Sequence, residues 1–419
     1  MIHTKKRNTL IPLALKWLLI CLLIGFLSGT ASAFFLVALQ WATDLRLDSH
    51  WLIWLLPIGG FLVGLSYYYW GNDVVKGNNL LLEEYHEPKK VIPFKMAPLV
   101  LFGTIITHLF GGSAGREGTA VQMGGAIADQ FKSIFKLTDN DRKTLLILGI
   151  SSGFASVFGT PLTGAIFAIE VVFFSRINYK AIPLSFIVAY VSYFTVEIWQ
   201  VAHTHYSIPF VPAMTITNLG YTVGVSILFG IAALLFSRGT HFWSGLFSKI
   251  IPYPPLRPFV GGAILAVVFL NFNFLKFEGL GVPAIVDSFS ITSEWYDFLL
   301  KILFTSFTLG AGFKGGEVTP LFFVGATLGS ALSLVVPLPM ALLAAMGFVA
   351  VFSGATHTPI ACTVMGMELF GLECGLFVAV ACVIAYFASG SIGIYKSQIV
   401  KGPKYHFYQK LRRRDLKNL

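Results

Sequence analysis

An arginine and a glutamate, Arg116 and Glu117, close the glycine-rich run "GGSAGREGTAVQMGG" (111–125), and apolar, helix-like sequence follows at once. A helix that starts at such a loop leaves its first amides without acceptors. Those amides and the positive end of the helix dipole make an anion site that needs no fixed cation. A carboxylate at the mouth of that site can fill it when ionised and leave it when protonated. Glu117 is therefore the candidate for linking proton movement to anion movement, with Gly115, Gly118 and Thr119 around it. Arg116 is the lesser candidate, because an arginine so placed more often snorkels or pairs locally. A simpler reading stays open, in which these glycines only let helices pack closely. A phosphate loop is excluded, since no Gly-Lys-Ser/Thr follows at the required spacing.

The same pattern recurs. "GREGTAVQMGGA" (115–126) aligns with "GGEVTPLFFVGA" (315–326), placing Glu117 opposite Glu317 and Thr119 opposite Thr319, with Gly316 and Val318 in the second loop. "GFASVF" (153–158) matches "GFVAVF" (347–352), and in each half a proline precedes a glutamate by the same interval, Pro161 to Glu170 and Pro359 to Glu368. Two matches in one order indicate duplication. Duplicated membrane halves place their substrate site at the interface between them, on broken helices. Two glycine loops, one from each half, would then converge on one anion. The matching glutamates Glu170 and Glu368 read as a pairing or capping device.

The elements that must position these loops are membrane helices. Of 419 residues, 55% are hydrophobic and 12% charged, about half the charge of a soluble protein. Mean hydropathy is +0.74, and several apolar runs reach the ~20 residues that span a bilayer, while others are interrupted by glycine, proline or a charge. The fold class expected is an all-α polytopic membrane protein. Its divisions are a basic N-terminus (1–10), a first membrane half (11–236), a proline-marked connection (237–258), a second half (259–400) and a basic tail (401–419). The net charge of +10 sits largely at the two ends, which places both termini in the cytoplasm and argues against nucleic acid as a partner. The N-terminus imitates a cleaved secretory signal around Ala31–Ala33, but the apolar run continues, so an uncleaved first helix is expected. Cys21, Cys362, Cys374 and Cys382 lie in apolar segments without metal-ligand spacing, and no cofactor is expected.

At this point the motifs resemble those of the CLC chloride channels and proton-coupled anion transporters. "GREGT" is similar to that family's G-R-E-G-P, whose glutamate is the external gate, and "GEVTP" (316–320) to its G-x-F-x-P. Tyr395 matches the tyrosine that closes the inner end of the pore. The resemblance implies a CLC-like inverted repeat with discontinuous helices, and a homodimer with one pore per subunit. The departures point to one branch. "GNNLL" (77–81) stands for the family's G-S-G-I-P, so Asn78 replaces an anion-coordinating serine. Thr119 replaces a proline, Val318 a phenylalanine, and Val171 the internal proton-transfer glutamate. This combination resembles the fluoride/proton antiporters, which export fluoride and confer fluoride resistance, and it implies an inner-membrane protein of a bacterium.

Fluoride is strongly hydrated, and a dry site must replace its hydrogen bonds. Asn78, Thr319 and Tyr395 each offer a donor. Plainer roles stay open: Asn78 as a helix cap, Thr319 bonded back to its own helix, Tyr395 in an interfacial belt. Glu317 is a candidate second proton carrier. The rival functions are a chloride/proton exchanger and a passive anion channel. A more distant one is a metal-dependent membrane enzyme using Glu83, Glu84, His86 and Glu87, although a solvated loop fits "LLLEEYHEPKK" (80–90) better. His203 and His205 read as loop residues near a membrane face.

Overall fold

In a computed structural model, residues 2–172, 178–272, 274–399, 404, 406 and 408 are described, with side chains from residue 12 onward. The described residues form sixteen α-helices. The first eight are α1 (Ile2–Asp48), α2 (Leu56–Tyr69), α3 (Asn78–His86), α4 (Met96–Leu109), α5 (Glu117–Ile134), α6 (Asp139–Phe158), α7 (Pro161–Val171) and α8 (Ala181–Ile198). The second eight are α9 (Ile216–Ile250), α10 (Leu256–Asn271), α11 (Val282–Asp287), α12 (Asp297–Gly310), α13 (Val318–Leu332), α14 (Met340–Thr356), α15 (Pro359–Phe370) and α16 (Gly375–Ala388).

The two sets correspond one to one. The helix pairs α5–α6 and α13–α14 pack face to face, as do α1–α8 and α9–α16. Glycine is what lets the inner pairs approach: a side chain on Gly124 would overlap the Gly149 carbonyl, and one on Gly325 the Gly347 carbonyl. Close packing thus explains these glycines, although not those of the loops. Pro161 and Pro359 open α7 and α15 at the first-turn positions, where the missing amide costs nothing. α6 and α14 both end on a left-handed residue, Gly159 (φ 72°) and His357 (φ 59°).

Two reciprocal contacts fix the symmetry. The Glu170 carboxylate, near the end of α7, accepts from the amides of Ile360 (3.0 Å) and Ala361 (2.7 Å) at the start of α15. Glu368, near the end of α15, accepts from the amides of Leu162 (3.1 Å) and Thr163 (2.9 Å) at the start of α7. Equivalent helices therefore run antiparallel, so the repeat is inverted. Each glutamate caps the helix of the other half, satisfying amides that would otherwise lack acceptors.

The division between halves differs from the sequence reading. α9 runs unbroken through 237–250 and packs on α12, α14 and α16, as α1 packs on α4, α6 and α8. It belongs to the second half, and the boundary falls at 199–215 rather than 237–258. The proline cluster Pro252–Pro255 ends α9 and separates it from α10, two helices of the same half. α1 continues through Ala31–Ala33 without a break. Most of the basic tail 401–419 lies outside the described residues. Among the described residues, four helices are long and apolar enough to cross a membrane (Pro12–Asp48, His50–Tyr69, Ala181–Ile198, Ile216–Ile250), beside seven shorter apolar helices.

The segment 80–90 is not a simple solvated loop. Arg142 on α6 is fully buried and holds Asp129 of α5 through Nε (2.7 Å) and Nη2 (2.7 Å), and Glu84 of α3 through Nη1 (2.8 Å). Asp129 also accepts the Ile92 amide, and Glu84 accepts those of Lys89 and Lys90. This network ties α3 to the helix that carries Glu117. Arg142→Met would leave two buried carboxylates unpaired, and a loss of about 3–5 kcal/mol is expected, read as a lowered melting temperature in detergent.

Candidate functional site

The two glycine loops meet. Gly115 and Gly316 form an isolated antiparallel bridge, each amide donating to the other's carbonyl at 2.6 Å. This brings the N-termini of α5 and α13 to one point in the protein interior. Gly316 must lack a side chain, because a Cβ there would stand 2.8–3.1 Å from the amide nitrogens of Gly118, Glu117 and Arg116. The amides of Glu117 and Gly118 have no acceptor among the described residues. They are donors held ready for an anion.

Glu117 fills that place. It is 1% exposed. Its Oε2 accepts the Thr319 amide at 3.0 Å and the Arg116 amide at 3.2 Å, and its Oε1 accepts the Thr319 hydroxyl. The carboxylate thus stands where a transported anion would stand, taking donors from the opposite half. The Thr319 hydroxyl is committed to Glu117 rather than to its own helix. Arg116 lies beside the carboxylate, its Nε 3.7 Å from Oε1 and without a hydrogen-bond partner among the described residues, with the side chain 22% exposed.

Asn78 opens α3, whose N-cap is Gly77 with no side-chain cap, so the capping role does not hold. Its amide lies across Gly118, where a Cβ would come within 2.9 Å of Nδ2, and its Oδ1 is buried without a partner among the described residues. A void of about 10 Å³ separates Asn78 from Tyr395, with Val171 and Val121 in its wall. Tyr395 is buried, not in an interfacial belt. The segment bearing Tyr395 is fixed by Ile394 N to the Ala355 carbonyl (2.9 Å) and by Ser397 N to Asn79 Oδ1 (2.9 Å). Val318 is the first residue of α13 and buried; Glu317 stands at the N-cap position of that helix without a side-chain capping bond and has no ion-pair partner among the described residues.

Thr119 departs from expectation. Its hydroxyl is fully buried against Thr104 Oγ1 at 2.6 Å, and Thr104 donates its own proton to the Val100 carbonyl (2.8 Å). Thr119 is left to donate to Thr104, so its hydroxyl ties α5 to α4 in this structure. Two residues escaped the sequence reading. Gln122 lies with its amide against Gly77, where a Cβ would approach within 3.1 Å; a glutamine in an apolar helix was the available signal. His203 is the other, and only the tertiary fold reveals it. Rather than lying at a membrane face, it lines a cavity of about 30 Å³ with Arg116, Glu117, Tyr206, Thr319 and Phe322. Beyond it, at the face where α1 and α8 end, lies a vestibule of about 610 Å³ reached by Arg46, Arg116, Lys276 and Glu278.

Residues 59–390, which hold both loops, match the family model described as voltage gated chloride channel. The chain belongs to this CLC family. Among its CLC relatives, the chloride/fluoride channel protein of Pseudomonas syringae pv. tomato is 48% identical over 403 residues, covering 95% of this chain and 89% of the relative. The H(+)/Cl(-) exchange transporter ClcA of Cronobacter sakazakii is 29% identical over 340 residues, or 75% of this chain and 72% of that one. In structure, this CLC chain is similar to a CLC-type fluoride/proton antiporter, with a TM-score of 0.89 and 33% identity over 93% of this chain and 98% of that one. A slow cyanobacterial Cl-/H+ antiporter shares the fold at a TM-score of 0.78.

Proposed function

We propose that this protein is a fluoride/proton antiporter, exporting fluoride in exchange for protons entering the cell. The observation that carries the reading is the Glu117 carboxylate lodged between two helix N-termini and taking the donors of Thr319. Protonation removes its charge and turns one of its oxygens into a donor, which weakens its hold on the Thr319 donors and frees the site for an anion. One residue then alternates with fluoride and ferries the proton.

Selectivity follows from donors replacing fluoride's water: the Asn78 amide, the Thr319 hydroxyl and the Tyr395 hydroxyl, with the loop amides of Glu117 and Gly118. Arg116 attracts anions from the vestibule. The names of the Pseudomonas relative and of the antiporter structure support fluoride. A chloride/proton exchanger is the second reading, favoured by the ClcA relatives. A passive channel is the third, and the carboxylate plug argues against it. On the inner side, Val171 occupies the wall beside Tyr395 and cannot carry a proton. We assign that task to Glu317. Glu317→Gln is expected to reduce proton coupling by about tenfold or more, on the scale of losing a positioned acid–base group; vesicles showing intact coupling would reject this role.

Both loops come from one chain, which supports one pore per subunit, and the family resemblance implies a homodimer in the bilayer. The basic flanks favour cytoplasmic termini by the positive-inside rule, which would set the vestibule on the outer side. Vesicles loaded with fluoride test the function: fluoride release should be matched by proton uptake, and chloride should support neither at a comparable rate. Equal proton movement with chloride would favour the exchanger; fluoride release without protons would favour the channel.

A further inference from the structure

The route by which a proton reaches Glu117 from outside has a candidate carrier in the loop after α8. His203 rests on Gly159, where a Cβ would come within 2.7 Å of the ring, and faces Tyr193 with ring centroids 6.4 Å apart. One ring nitrogen is engaged by the Val157 carbonyl. The other, Nε2, is buried and has no hydrogen-bond partner among the described residues. The cavity of about 30 Å³ that it lines also holds Glu117, and such a space is large enough for a water. Arg116 and Thr204 line both this cavity and the vestibule, so the small space adjoins the large one.

We propose that His203 is the external proton relay of the antiport cycle, taking a proton from vestibule water at Nε2 and delivering it to Glu117. The inference rests on the antiport reading. The transfer balances. A bond forms from the Nε2 lone pair to a proton of hydronium, which leaves as water. The N–H bond then breaks as an O–H bond forms on the Glu117 carboxylate, directly or through one water. Nδ1–H stays on the Val157 carbonyl throughout, and the ring ends neutral. A neutral ring is the correct resting form. Burial, with the charge of Arg116 adding to it, brings His203 down to about 4. Its proton is therefore held briefly and released easily. The charged or titratable groups facing it are Arg116 and Glu117 at the start of α5, His205 and Tyr206 on its own segment, and Tyr193 of α8; α6 offers only a carbonyl. The arrangement separates two tasks at one entrance. Arg116 draws the anion and repels hydronium, while a neutral imidazole lets the proton past.

The test uses the full chain in vesicles, with fluoride efflux and proton uptake recorded together. His203→Gln keeps a polar side chain of similar reach but cannot relay a proton. It should slow coupled exchange about tenfold at alkaline external pH, where free protons are scarce, and less at acid pH. The KM for fluoride should stay at the wild-type value, which also shows the variant is folded. His203→Ala should be slowed likewise and restored by millimolar external imidazole, whereas Glu117→Gln should not respond to imidazole. A wild-type rate and pH profile in His203→Gln overturns the proposal, and so does slowing in His203→Ala that imidazole leaves unchanged. If the wild-type protein moves no protons with fluoride, it is the antiport reading that fails.

Discussion

Glu117→Gln is expected to abolish fluoride-driven proton uptake, reducing it by about a hundredfold or more to the vesicle background. Glutamine keeps the shape of the side chain but neither gains nor loses a proton in the working range. It also presents an NH2 group where the wild-type carboxylate accepts from the Thr319 amide and hydroxyl. The neutral amide also lacks the charge that holds the carboxylate against two helix N-termini, so the glutamine should swing out and leave the anion site open. Fluoride release should therefore continue, now as a leak driven by the fluoride gradient and membrane potential alone. Separation of the two fluxes in one variant is the expected signature. Continued coupling would remove Glu117 from the proton path.

Gly316→Ala is the second large effect. The added methyl would press to within 2.8–3.1 Å of three consecutive nitrogens at the start of α5, those of Gly118, Glu117 and Arg116. Those amides lie where the anion must sit, and the contact is with backbone, which cannot step aside as a flexible side chain would. Fluoride flux should fall at least tenfold, corresponding to ~1.4 kcal/mol or more lost at the site. Overpacking also costs stability, about 1–3 kcal/mol, so the melting temperature should drop modestly. Gly125→Ala is the control. It would press on the flexible end of Leu81 rather than on loop amides, so flux should survive. Equal flux in Gly316→Ala and wild type would show that the loop amides do not bind the anion.

Much of this site was legible because its chemistry is local. Glycine loops, helix starts and a carboxylate between them fall within a few residues of each other, and duplication doubles the signal. Even the reciprocal caps of Glu170 and Glu368 could be anticipated from equal spacing to a proline. The misreadings have a common cause. Thr119 sits in the motif, yet a helix turns its hydroxyl toward Thr104, and only the rotation of α5 against α4 decides that. The joint between halves was placed at the most conspicuous prolines, but proline interrupts a helix wherever it falls, including inside a repeat unit. His203 lies about ninety residues from Glu117 in sequence, and no spacing rule joins them. Arg142 likewise finds Asp129 and Glu84 only through packing.

The central claim is that fluoride and protons exchange through one site, with Glu117 alternating with the anion. The most direct measurement is uphill transport in reconstituted vesicles. Fluoride is set high inside and low outside, pH begins equal on both sides, and the membrane potential is clamped at zero. The account predicts that outward fluoride flow drives protons inward, building a pH gradient from none, which collapses when the fluoride gradient is removed. If fluoride runs out while the internal pH stays unchanged, the two ions are not coupled and the account is contradicted.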